Sequence, residues 1–111
     1  MDKSLQALAV KATQLDREVQ VVMSFWDGWV ETPEGGVALR HLKEELHHIR
    51  ECLWELSYLP SLEHAERLLY RAEQRLELTC PGRYSGIVNL SVVRGVLKEL
   101  LLRIDDLSMV L

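Results

Sequence analysis

Apolar residues recur along this chain at intervals that alternate between three and four. The first series is Leu5, Leu8, Ala12, Leu15, Val19, Val22, Trp26 and Trp29. The second is Leu39, Leu42, Leu46, Ile49, Leu53 and Leu56. The third is Leu62, Ala65, Leu69, Ala72 and Leu76; the fourth is Leu90, Val93, Leu97, Leu100, Ile104, Leu107 and Leu111. Such spacing keeps one stripe of a helix turned toward one partner along its length. No stretch sustains a period of two, so no strand is expected. The four stripes predict four helices, over 3–31, 37–58, 61–79 and 86–109.

Turn-forming residues fall between the stripes. Thr32-Pro33-Glu34-Gly35-Gly36 separates the first two, with proline and the glycines expected to stop one helix before the next begins. Tyr58-Leu59-Pro60-Ser61 separates the second and third. There Pro60 turns Leu59 away from helical geometry, and Ser61 is placed to cap the following helix. Thr79 to Gly86 separates the third and fourth. Connections this short join antiparallel neighbours, so the expected fold is all-α: an antiparallel four-helix bundle with heptad-like packing, one domain over 1–111.

The fourth helix carries more apolar surface than one stripe needs. Fifteen of the twenty-five residues from Ile87 to Leu111 are apolar. Val92, Val96 and Val110 widen the arc on one flank and Leu101 on the other, to about half the circumference, where a surface helix needs a stripe somewhat over 100° wide. Two explanations compete. The helix is central and touches three others, or the excess faces another chain. The third helix alternates leucine with Ala65 and Ala72. This reads either as size alternation in a packed core or as a seam that another helix approaches closely. Trp26 and Trp29 end the first stripe and are expected to close one end of the core. Trp54 lies off its stripe, beside Arg50 and Tyr58, either covering the turn at Pro60 or serving as an exposed anchor.

Composition narrows the function classes. The chain has 111 residues, 48% hydrophobic and 27% charged, enough for a globular core. The net charge of −4 lacks the basic footprint that phosphate contacts require, so no direct nucleic-acid partner is expected. No apolar run approaches the roughly 20 residues that span a bilayer, and the first thirty residues carry charges throughout, unlike a secretory leader. With two cysteines, a cytoplasmic setting with free thiols is expected, and a Cys52–Cys80 disulfide is not.

One stretch has the ingredients of chemistry: His41-Leu-Lys-Glu-Glu-Leu-His-His-Ile-Arg-Glu-Cys52. On a helix, His41, Glu45, His48 and Cys52 share a ridge just off the core stripe, at spacings that place side chains about 6 Å apart at their bases. His47 lies on a different face. Glu45 and His48 form an ExxH pair, but di-iron bundles need two such pairs and two further glutamates facing inward. A structural zinc site needs four ligands, and one ridge gives two or three. The i,i+4 alternatives are His41 with Glu45 and Glu44 with His48, on a solvated face. A nucleophilic triad is not expected, because side chains on one continuous helix do not converge and no oxyanion element accompanies them. No cofactor is implied.

The sequence thus points to a non-enzymatic helical protein-interaction module, of adaptor, chaperone-like or inhibitor type. It is expected to act as a homodimer or with a protein partner through Val92, Val96, Leu101, Val110 and Trp54. The alternative is a metal-binding bundle using His41, Glu45, His48 and Cys52.

Overall fold

The computed structural model of the chain describes residues 3–26, 33–56, 59, 62, 64–79 and 85–110. It contains four helices and, among the described residues, no strand: α1 (Lys3–Ser24), α2 (Pro33–Trp54), α3 (Ala65–Glu77) and α4 (Ser85–Val110). They form a rod of 46 × 20 × 18 Å. α1 packs against α2 and α4, and α3 packs against α2 and α4, while among the described residues the backbones of the two diagonal pairs do not approach closely. The bundle is therefore a four-membered ring around one core. α4 has two neighbours, not the three that a central helix would have.

Side-chain pairs give the directions. Lys11 meets Cys52 and Glu18 meets His41, so α1 and α2 run antiparallel. Lys43 reaches Glu77 and Arg50 reaches Glu73, so α2 and α3 do as well. Trp26 lies against Gly86 and Asp16 against Arg94, which makes α1 and α4 antiparallel too. The order is up, down, up, down.

The buried hydrophobic residues are the stripe positions of the four series. Trp29 and Leu111 lie outside the described residues. A heptad stripe leaves the protein water only on the side turned to its neighbours, so periodicity and burial coincide. Ala65 and Ala72 are inside this core. The alanine seam is thus size alternation within the bundle, not a surface open to another chain.

α1 and α2 end earlier than the spacing-based expectation, at Ser24 and Trp54 in place of residues 31 and 58, and two helix starts differ as well. Pro33 begins α2, and Gly35 and Gly36 lie inside it. Proline at the first helical position has φ preset for the helix and lacks only an N–H that would have no intrahelical partner. Glu34 adds a carboxylate where the helix dipole favours one. The Pro33 stretch is a starter for α2 more than a stop for α1. At the other junction α3 begins at Ala65, not at residue 61. Backbone N–H groups of Leu56, Leu59, Leu62 and Ala65 donate in succession to Leu53, Leu56, Leu59 and Leu62 carbonyls, at 2.9–3.1 Å. This chain of tight i→i−3 turns carries Leu56 and Leu62 into the core before the α-helix starts. The N-cap of α3 is His64, which makes no side-chain cap bond, and Ser61 lies outside the described residues. At the far end, the Thr79 hydroxyl donates to the Arg75 carbonyl at 2.7 Å, satisfying one acceptor of the last turn.

Candidate functional site

The apolar excess of α4 divides into two parts. Val96 and Leu101 are half-buried and pack against the core. They flank the stripe on its two sides. Leu101 shares its heptad position with Arg94, which faces α1, and Val96 lies on the opposite flank, where α3 is the only remaining neighbour. The ring thus absorbs two of the expected interface residues. Val92 is 36% exposed, and the side chain of Val110 lies outside the described residues.

The second part faces outward. Val88, Gly95, Leu102 and Met109 follow one another at seven-residue steps on the side of α4 opposite its core stripe. Leu102 is 62% and Met109 83% exposed, and Val88 is exposed as well. Beside Leu102, an open groove of about 520 Å³ runs between α4 and Ala9 of α1, bordered by Lys98, Leu101 and Asp105. The wheel view of the sequence missed this stripe because it measured the width of the arc around the core and did not examine the opposite side. The seven-residue repeat of Val88, Leu102 and Met109 was the available signal.

Gly95 is the unexpected member of that stripe. It sits exposed in mid-helix, and an added Cβ would meet nothing within 4 Å. A glycine there costs about 0.5–1 kcal/mol relative to alanine. No contact among the described residues explains it. Gly95→Ala should therefore raise the unfolding free energy by about 0.5–1 kcal/mol in denaturant titration, at a concentration where the chain is monomeric.

The second exposed group lies where α2 meets α3. Trp54 is 66% exposed and borders a shallow hollow with Arg50, Glu51 and Glu66. The Arg50 guanidinium stands 5.4 Å above the Tyr70 ring, within cation–π range. It also donates to Glu73 at 2.6 Å, and the other oxygen of Glu73 lies 2.9 Å from Nδ1 of His47. His47 Nε2 in turn lies 2.8 Å from Glu51. Glu73 is the least exposed carboxylate of this chain of contacts and holds both bases from α3. Glu73→Ala should cost about 1 kcal/mol, and a double-mutant cycle with Arg50→Ala should show positive coupling; purely additive losses would mean that the pair is mere proximity.

The histidine ridge of α2 is a line and not a cluster. His41 and His48 are exposed, and Glu45 and Cys52 are half-buried along the α1 side. His41 Nε2 lies 2.9 Å from Glu18 of α1, and Lys11 lies 3.6 Å from the Cys52 sulfur. The His41 contact is a charge approach more than an aligned hydrogen bond, since that Glu18 oxygen is buried without a hydrogen-bond partner. Among the described residues no three His, Cys, Asp or Glu side chains converge as a metal site would require. The pairs also differ from the i,i+4 expectation. His41 approaches Glu18 of α1 in place of Glu45, and His47, not His48, makes an i,i+4 contact. Register between helices decides this, and the sequence of one helix does not contain it. Cys80 lies outside the described residues.

Among the described residues, no helix is long and apolar enough to cross a membrane. No protein-family description, curated protein or solved structure matches this chain.

Proposed function

We propose that the protein is a non-enzymatic helical interaction module whose working surface is the outward face of α4. One observation carries this reading: Val88, Leu102 and Met109 expose bulky apolar side chains in a single line while every described stripe position is already buried. Isolated surface hydrophobics are ordinary; a line of them on one helix, beside an apolar groove, is the composition of a contact surface. The residues are dispensable for the fold and costly in water, which is what a partner-binding face requires.

An apolar dye tests it. In dilute solution, anilinonaphthalene sulfonate should brighten on the folded chain. The double substitution Leu102→Ser and Met109→Ser should remove that signal with helicity unchanged. Folded protein that leaves the dye dark in dilute solution would sink the proposal.

The metal alternative has less support, since His41 and Cys52 already have partners on α1 and the ridge does not converge. Far-ultraviolet circular dichroism should be the same with and without a strong chelator; a loss of helicity on chelation would revive that alternative.

A further inference from the structure

We infer that the outward side of α3 is a second docking surface, and that its occupant is an acidic helical segment of a partner protein, held through Arg67, Arg71 and Arg75. This inference goes beyond the reading of the α4 face and does not depend on it.

α3 sorts its charges by side. Glu66, Glu73 and Glu77 all lie on the flank turned to α2. There Glu73 holds Arg50 and His47, Glu77 reaches Lys43, and Glu66 borders the hollow beside Arg50. Arg67, Arg71 and Arg75 follow one another at four-residue steps away from that flank, and all three are exposed. Among the described residues none of the three has an ion-pair partner. In the sequence, no Asp or Glu stands three or four positions from Arg71 or Arg75.

The helix itself gains little from this ridge. Like charges four residues apart repel. Arg67 lies in the first turn of α3, where the helix dipole disfavours a cation; only Arg75, in the last turn, is favoured by it. What the ridge matches is a row of carboxylates. Four residues of helix rise about 6 Å, so glutamates at every fourth position of a second helix repeat at the same interval. Guanidinium groups take carboxylates in a two-pronged geometry. Tyr70 and Leu78, 51% and 71% exposed, flank the arginines, and tyrosine beside arginine is the composition that interfaces concentrate.

The extent of the ridge decides against longer polyanions. It is three charges long on a chain of net charge −4, with glutamates along its α2 flank. A nucleic acid or an anionic membrane would reach past those three sites onto repelling surface. A short acidic helix does not.

The test is a titration of the isotopically labelled chain, at low ionic strength, with a synthetic alanine-based helical peptide carrying glutamate at three positions four apart. Amide shifts should cluster on α3 and fade as salt is added. Arg71→Gln should weaken binding about two- to fivefold, and replacing all three arginines by glutamine about tenfold or more. Arg71→Gln should not lower the unfolding midpoint, because glutamine has a similar helix propensity and like-charge contacts are relieved. A peptide of the same composition with its glutamates spread around the helix should bind about threefold more weakly. No shifts on α3, an affinity indifferent to the triple replacement, or no preference for the aligned peptide would overturn the inference. So would tighter, arginine-dependent binding of a single-stranded oligonucleotide or of phosphatidylglycerol vesicles, which would make the ridge a phosphate site. The variant with Leu102→Ser and Met109→Ser should take the peptide as the natural chain does, so this surface and the α4 face stand or fall separately.

Discussion

Leu97→Ala is expected to destabilise the chain by about 2–5 kcal/mol, and Leu102→Ala, five residues along the same helix, by no more than about 0.5 kcal/mol. Both are leucines in the middle of α4, with the same helix propensity. Leu97 has no exposed surface and sits on the core stripe between α1 and α3. Its truncation removes buried methyl groups and leaves a hole that two neighbouring helices must collapse to fill. A core at crystal-like density relaxes only in part, so the cavity adds to the lost transfer energy. Leu102 is mostly in water already, and its loss changes little in the single chain. Denaturant titration of the two variants in dilute solution gives the comparison directly. Similar losses for both would mean that α4 does not divide into a structural side and a free side.

Gly86→Ala carries the second large effect, about 1–3 kcal/mol destabilising. The usual expectation for glycine in a helix runs the other way. Here the six-membered ring of the Trp26 indole occupies the space. A Cβ on Gly86 would overlap that ring, with Cη2 at 2.7 Å. The indole is rigid and buried at the end of the core, so it cannot yield as a flexible side chain would. Either the ring moves, exposing part of its large apolar area, or the start of α4 shifts away from α1. Trp26→Phe shortens the obstructing side chain. The cost of Gly86→Ala should therefore be smaller in the Trp26→Phe background than in the natural chain. Equal costs in both would place the strain elsewhere. Gly86 and Gly95, nine residues apart, thus respond to the same substitution with opposite signs. The difference lies in what stands over each of them.

The sequence made the core legible in full because burial in a ring of heptad helices follows one period. Leu46, Leu69 and Leu97 could be placed without knowing any contact. The closing role of Trp26 followed from the same stripe. What stayed hidden depends on more than one helix. Val96 and Leu101 read as surplus on a wheel, and only the presence of α3 and α1 on either side of α4 turns them inward. The contact of His41 with Glu18, and those of Arg50 and His47 with Glu73, require the offset between helices, which no single periodicity gives. The start of α2 was hidden for a local reason. By spacing alone Pro33 reads as a breaker, although proline at a first position opens a helix. The start of α3 was obscured because tight turns through Leu59 and Leu62 preserve the apolar spacing without being α-helix.

The division of α4 is the claim on which the functional reading depends, and the methyl groups of that helix report it most directly. With methyl-labelled protein in dilute solution, an inert soluble paramagnetic agent should broaden the resonances of Val88, Leu102 and Met109 strongly. It should leave Leu97 and Leu100 sharp, with Val96 and Leu101 much closer to the sharp group. Equal broadening of Val96, Leu101 and Leu102 would show that the apolar arc is not divided as the four-helix ring requires, and the assignment of the outward stripe as the working surface would go with it.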